Sequence, residues 1–506
     1  MNRGVAGGGW SVRRLDCGVA HNLLGVDVDQ GFLLPPDIRE WLEPGDLAFF
    51  VMDAVAQFDL SGFRSGYRSD GRGGAAYDPK LMVGLLLFAY CEGVRSSRQI
   101  ERRCGRDVAY RVLSGNRRPD HATIARFRDR HRVALRAVFV QVLRLCAEAG
   151  LVRVGLVALD GTKLEADASP LKNYDLARAD KAIRFVEQQI EEMLTDAVEQ
   201  DVVDDRAERD RPVAATPDRL RDRRRRLAAL EEAKGRLDAQ AAEAQRVQDQ
   251  RRADWEVNKG RGARPAEKPP ERALTRRRTN LTDPDSRIMH VAGGYQQSFN
   301  AQAVVTSDQV IIAADLVPDA VDYDAFHPMM EAARTALDEA GVADSIRAVV
   351  ADAGYSKKQN RDQAKPGDPI QLVAVPPLGG KRPKTSPAPN SLRPADEAKP
   401  AEAGKPDKAT AAEQGTAAAG EVKLDPRFVN DPSLERMAKR LANPPGRRLY
   451  ARRKTMVEPV FGQIKQLGGP RVRHRGFDKV NTEWKMMASA HNLLKCWRHL
   501  AAQPAI

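Results

Sequence analysis

Val154-Gly155-Leu156-Val157-Ala158-Leu159-Asp160 is an almost continuous apolar run that ends in a carboxylate. Such a run reads as a buried strand, and it predicts that Asp160 stands at the strand's C-terminal end. A second buried run, Ile346 to Ala351, ends in Asp352 and continues as Ala353-Gly354-Tyr355. Between the two, Ser298 to Thr306 and Val310 to Val317 flank the turn-like Ser307-Asp308 and predict an antiparallel hairpin, followed by a helix around Ala325 to Ala340. Ile370 to Val375 adds a fifth strand.

A helical pattern follows at Arg447 to Leu467, with Val457, Val460, Phe461, Ile464 and Leu467 on one side, and a last helix over Glu483 to Leu500 carries Trp484, Met487, Leu493, Leu494 and Trp497. Pro459 predicts a kink or a helix start, because proline removes a helical hydrogen bond and crowds the preceding turn. Two segments interrupt the strand pattern. Ile183, Val186, Ile190, Met193 and Ala197 form a heptad seam that Leu220, Leu227, Leu230 and Leu237 partly resume, which reads as a helical hairpin or short coiled coil. Arg223 to Arg226 and Arg276 to Arg278 make it basic, and Gly260 to Pro270 reads as a flexible exit. Gly379 to Gly420 is rich in Pro, Ala, Lys and Gly and has too few large apolar residues to offset its ordering entropy, so it reads as a disordered insertion.

Length and charge bound the rest. The chain has 506 residues, of which 42% are hydrophobic, enough for about three domains. The longest apolar run, Leu81 to Cys91, falls short of the ~20 residues a bilayer requires, and the N-terminus lacks the apolar core of a signal peptide. A cytoplasmic, nucleoid-associated protein is expected, with no membrane partner. Five scattered cysteines without a CxxC spacing read as core thiols. The net charge of +13 favours polyanionic partners, and thirteen arginines against four acids lie between Arg95 and Arg136. That stretch reads as short helices: Asp78-Pro79 opens one, Ser96 with Gln99 makes a capping-box spacing, Asp107 caps a third, and Asp120 caps a longer helix whose apolar face runs from Ile124 to Leu145. Its arginines, Arg126, Arg128 and Arg130 among them, either contact DNA phosphates or form a solvated surface.

Taken without its insertions, the order is strand with Asp, two antiparallel strands, helix, strand with Asp, strand, and helix containing Glu458. That is the order of a ribonuclease H-like α/β fold with a mixed sheet, in which the first strand lies beside the fourth. Asp160 and Asp352 would then converge, and Glu458 would reach them from a helix. Three carboxylates at one point repel unless a cation sits between them, and hard, oxygen-preferring Mg²⁺ or Mn²⁺ suits such a set. Lys454, Glu458 and Lys465 share one helix face, as a metal ligand flanked by phosphate-holding ammonium groups or as an ordinary exposed Lys/Glu pairing. Glu165 and Asp167 are close enough in sequence to be alternative ligands. His290, His327, His474 and His491 lack ligand spacing, and no phosphate-cradling GxxxxGK[ST] is present, so ATP is not expected.

The segments VALDGTKLEADAS around Asp160, GYQQSFNAQAVV from Gly294, VVADAGY around Asp352 and VEPVFGQIK around Glu458, with RHRGF and AHNLLK near the end, resemble the DDE transposases of bacterial insertion sequences. The resemblance runs from about Gly25. Met1 to Leu24 lies outside it, as a misplaced translation start would leave it. It implies a metal-binding catalytic triad of Asp160, Asp352 and Glu458 holding two Mg²⁺ ions, with Tyr450, Arg453, Lys454 and Lys465 at the DNA, and a homodimer on double-stranded element ends and target DNA. The family spacing is Tyr, two residues, Arg, three residues, Glu, six residues, Lys; here four residues separate Arg453 from Glu458, and Lys454 takes the expected arginine position.

The expected division is a helical DNA-binding domain over 25–150, a catalytic domain from 151–175, 279–378 and 421–506, the helical basic insertion at 176–278 and the linker insertion at 379–420. The expected activity is metal-dependent cleavage and strand transfer at terminal inverted repeats. The alternatives are a nuclease of the same fold that cuts without joining and a catalytically decayed DNA-binding protein.

Overall fold

The computed structural model describes residues 37–65, 67, 76–204, 218–257, 264–269, 277–291, 293–357, 360, 369–374 and 431–502. The expected linker insertion at 379–420, the segment 1–24 and part of the expected exit at 260–270 lie outside them.

The N-terminal region is helical. It comprises α1 (Leu47–Ala56), α2 (Ser61–Arg64), α3 (Pro79–Cys91), α4 (Ser97–Cys104), α5 (Val108–Leu113), α6 (His121–Arg130) and α7 (Arg132–Glu148). The carboxylates of Asp46, Asp78, Asp107 and Asp120 each accept a backbone N–H of the first turn, which satisfies donors that the helix itself leaves unpaired. Ser96 is the N-cap of α4, but its side chain makes no capping bond, so the box expected with Gln99 is not closed. The single long helix expected from Asp120 is two helices. His131 breaks it and packs its ring against Phe63, Tyr67 and Phe127, at centroid distances of 5.4, 5.5 and 4.7 Å.

The strands are β1 (Leu156–Glu165), β2 (Asn173–Tyr174), β3 (Thr279–Asn280), β4 (Arg287–Val291), β5 (Gly294–Thr306), β6 (Ile311–Val317), β7 (Ala348–Ala351) and β8 (Ile370–Val373). Six of them form a mixed sheet in the order β4-β5-β1-β7-β8, with β6 also on β5. β4 takes the first half of β5 and β6 the second. β5 is antiparallel to β1, whereas β1, β7 and β8 run parallel. The short β7 is buried throughout, as a parallel strand covered on both faces must be.

β1 is longer than its apolar run predicts. The strand does not end at Asp160 but continues to Glu165, because β5 goes on pairing with it, Asp160 opposite Ala303, after β7 has stopped at the Leu159–Ala351 pair. Asp160 therefore sits where the parallel pairing ends, in mid-strand.

Between β2 and β3, which pair with each other, α8 (Leu176–Asp204) and α9 (Asp218–Val257) pack together around a small core of Tyr174, Ala179, Val186, Leu230 and Leu237. Four further helices complete the chain: α10 (Phe326–Glu339), α11 (Pro432–Ala442), α12 (Pro444–Gly468) and α13 (Phe477–Ala501). α10 and α13 pack on β6, α12 packs on β1 and β7, and α3 and α7 of the N-terminal region pack on α13. The same hydrophobic core thus runs from the helical region into the sheet.

α12 neither starts nor stops at Pro459. A proline there cannot donate to the Thr455 carbonyl one turn back, and the Gln309 side chain, from the β5–β6 turn, donates to that carbonyl at 3.1 Å instead. Gln309 adopts a left-handed φ of 61°.

Candidate active site

Asp160 is an acid on a strand otherwise buried up to that residue. Its Oδ1 accepts the Gly161 N–H at 2.8 Å, and its Oδ2 accepts from Arg453 Nη1 on α12 at 2.6 Å. Burial pushes its pKa up to about 6; Arg453 and the Gly161 N–H work against the rise, and the neighbouring Asp352 and Asp322 add to it. The pKa of Arg453 is raised as well, which for a guanidinium favours the charged form. Burial opposes its charge, but Asp160, Tyr450 and Asp352 outweigh that and hold the guanidinium above its ordinary value.

Asp352 follows β7 directly and caps the single turn Ala353–Tyr355, accepting the Gly354 N–H at 2.7 Å. Since β7 lies parallel beside β1, the two aspartates come to one edge of the pairing. The third carboxylate near them was not singled out from the sequence. Asp322, in the loop between β6 and α10, accepts on Oδ1 from Asn300 Nδ2 at 2.8 Å and Gln302 Nε2 at 2.7 Å, both from β5. Gln302 also accepts the buried Tyr355 hydroxyl and donates to Asn300 Oδ1 at 2.9 Å. Burial, then Asp322, Asp160 and Asp352, push the Tyr355 phenol well above its usual range, so it stays a neutral donor.

Two glycines sit tightly against these side chains. A Cβ at Gly161 would stand 2.5 Å from Gln302 Nε2 and 3.0 Å from Asp322 Oδ1; one at Gly354 would stand 2.9 Å from Asp352 Oδ1 and 3.4 Å from Asp322 Oδ2. Each glycine follows one of the two aspartates closely and leaves room for Asp322.

Glu458 lies on α12 and is exposed. Among the described residues no three His, Cys, Asp or Glu side chains stand close enough to hold a metal ion. Asp160 is paired with Arg453 and lies in the field of Asp352, while Glu458 and Lys454 are both exposed on α12. Lys465 is half-buried, and burial lowers its pKa. Tyr450 is half-buried against the core.

The N-terminal arginines divide. Arg126 is exposed and donates to Thr123 Oγ1 at 3.1 Å, and Arg130 is exposed with its guanidinium 4.8 Å from the Tyr67 ring centroid. Arg128 is buried, donates to the Arg95 carbonyl at 2.8 Å and lies 5.6 Å from the Tyr90 ring centroid, so in this conformation it braces the interior.

Asp167, one of the alternative ligands, is held by Arg471 and Arg475 at 2.8 Å each, and Arg471 also faces Glu165 at 4.0 Å. Glu165 is five residues along β1 from Asp160, roughly 16 Å. His474 pairs with the buried Glu483 at 2.8 Å, and His491, its pKa pushed down to about 4 by burial, contacts the Gln309 carbonyl. Cys91, Cys104, Cys146 and Cys496 are buried free thiols.

No helix among the described residues is long and apolar enough to cross a membrane. Comparison with known proteins finds no match among curated proteins or solved structures. Two family models do match. A Transposase domain (DUF772) covers residues 37–130, from just before α1 to the end of α6. A Transposase DDE domain covers residues 412–497 and includes α12, with Arg453 and Glu458. One chain thus matches an N-terminal and a C-terminal transposase domain, before and after the strands that carry Asp160 and Asp352, and the two matches support an insertion-sequence DDE transposase.

Proposed function

We infer that the chain cuts and joins DNA at the ends of its own mobile element, using a divalent-cation site built on Asp160 and Asp352. The observation that carries this reading is the parallel pairing of β1 with β7, which brings the two aspartates to the same place in the sheet. The order β6-β5-β1-β7-β8, with β5 antiparallel and β1, β7 and β8 parallel, supports a ribonuclease H-like catalytic domain.

The residues present fit a hard cation. Two carboxylates in each other's field need positive charge, and in this structure Arg453 supplies it to Asp160. Asp160 and Asp352 would hold Mg²⁺ or Mn²⁺, with Glu458 the third ligand that the resemblance implies. When bound, the metal would supply Lewis-acid stabilisation of the attacking and leaving oxygens of an in-line displacement at phosphorus. Hydrolysis at the element end and attack of the freed 3′-OH on target DNA are displacements of that one kind, so one set of side chains serves both. Lys454 and Lys465 on α12 are the chain's own cations for the phosphates near the break. The exposed Arg126 and Arg130 are suited to backbone phosphates farther along the end.

The test uses Asp160→Asn, Asp352→Asn and Glu458→Gln, each assayed with Mg²⁺ on a labelled element end and a target duplex. Loss of cleavage with end binding retained is the expected result. Cleavage by either aspartate variant overturns the reading, and wild-type cleavage without joining reduces it to a nuclease.

A further inference from the structure

Asp322 has its two oxygens in different situations. Oδ1 takes both amide donors, Asn300 Nδ2 and Gln302 Nε2, while Oδ2 has no hydrogen-bond partner among the described residues. Oδ2 and Asp352 Oδ1 both lie within 3.4 Å of the point where a Gly354 Cβ would be, and Oδ1 lies 3.0 Å from the corresponding point at Gly161. The acid is therefore wedged between the residues that follow Asp160 and Asp352, with its free oxygen on the Asp352 side.

We propose that Asp322 is a positioning residue of the cation site, anchored through Oδ1 so that Oδ2 faces the hydration shell of the cation between Asp160 and Asp352. The inference rests on the reading of those two aspartates given above. Two neutral amides would hold an asparagine as well as an aspartate at position 322, without adding a third negative charge beside two others. A fixed carboxylate there is favourable only where positive charge arrives. Mg²⁺ and Mn²⁺ retain several waters when one or two carboxylates bind them, and those waters donate hydrogen bonds outward. A negatively charged acceptor held rigidly in the outer shell typically raises metal affinity 10- to 100-fold. The three acids are not close enough to act as a direct three-ligand set, which is why Asp322 is assigned to the water shell.

The experiment measures Mn²⁺ binding to the full chain without DNA, by the decrease in the free-ion paramagnetic resonance signal, alongside cation-free thermal melting. Asp322→Asn keeps the shape and an acceptor oxygen for both amides. It is expected to weaken Mn²⁺ binding 10- to 100-fold with no fall in cation-free melting temperature. Affinity within twofold of wild type overturns the proposal. A lowered melting temperature also overturns it, because the charge would then serve the fold. Should that variant fail to fold, Asn300→Ala, which removes one anchor, is expected to weaken binding several-fold, and wild-type affinity in it is equally fatal. Asp352→Asn serves as the control: saturable binding that survives in it removes the cation site itself, a result distinct from failure of the Asp322 role alone.

Discussion

Arg453 on α12 donates to Asp160 on β1 at 2.6 Å, with the two side chains only 16% and 17% exposed. The pair fastens the helix that carries Glu458 to the strand at the centre of the sheet. It also makes Arg453 the competitor of any cation for Asp160, since both require the same carboxylate.

Arg453→Met is therefore expected to tighten Mn²⁺ binding several-fold in the absence of DNA while lowering end cleavage. At pH 8 the cation-free variant should lose about 3 kcal/mol, because removing one member of a largely buried pair leaves the other charge uncompensated. At pH 5 the loss should be smaller, Asp160 being mostly protonated there. Unchanged Mn²⁺ affinity would show that the guanidinium does not compete.

The raised pKa of Asp160 gives a stability profile of definite sign. The folded chain takes up the proton at about pH 6 and the unfolded chain near 3.8, so between these values the folded state binds more protons. The contribution, on the order of 3 kcal/mol, is fully present below about pH 4 and is lost as pH rises through about 6. Urea unfolding without divalent cation should show this fall, and Asp160→Asn should flatten it. Mn²⁺ affinity should weaken roughly tenfold per pH unit below pH 6, as the carboxylate must be ionised to bind.

Arginines two residues apart on α6 should behave differently. Arg126→Ala and Arg130→Ala are expected to keep the melting temperature but weaken DNA binding, each lowering the slope of log affinity against log salt by about 0.9 if it neutralises one phosphate. Arg128→Ala is expected to lose about 2 kcal/mol of stability through the bond to the Arg95 carbonyl and the packing on Tyr90. A salt slope changed by Arg128→Ala in a fully stable protein would contradict its place as an internal brace.

Glu483 on α13 is fully buried and faces Arg95 Nη1 at 3.1 Å, His474 Nδ1 at 2.8 Å and the Arg473 N–H at 3.0 Å. Burial would raise its pKa, but His474, Arg95 and the Arg473 N–H outweigh it and hold the carboxylate below its usual range. Arg95 also donates to the carbonyls of Gly469 and Arg471, just beyond α12. Arg95→Met should therefore cost about 3–5 kcal/mol in chemical denaturation. Glu483→Gln, which leaves Arg95 without its counter-charge, should cost a similar amount, and near-neutral values for both would mean the cluster is not a junction between the helical region and α12.

Local patterns were legible in the sequence because they need no partner to be recognised. An apolar run ending in a carboxylate marks a buried strand and its acid, which is why Asp160 and Asp352 could be named; the aspartate caps of α3, α5 and α6 are equally local. The motif around Glu458 was read from neighbouring residues in the same way. What a side chain meets across the fold was not legible. Asp322 lies among Asp319 and Asp324 in a loop, and only the reach of Asn300 and Gln302 from β5 distinguishes it. Pro459 reads as a helix breaker until Gln309, 150 residues earlier, supplies the donor that α12 lacks. Arg126 and Arg128 are alike as residues and neighbours in sequence; the packing of α6 buries one and exposes the other. The sequence by itself determined the principal strands and helices, though not the edge strand β4 or the break at His131, and where two of the acids lie, because those depend on periodicity and capping. Tertiary structure alone decided that β1 runs on past Asp160, that Arg453 pairs with it and that Asp322 lies against Gly161 and Gly354, because burial, hydrogen-bond satisfaction and charge compensation depend on groups far apart in the chain.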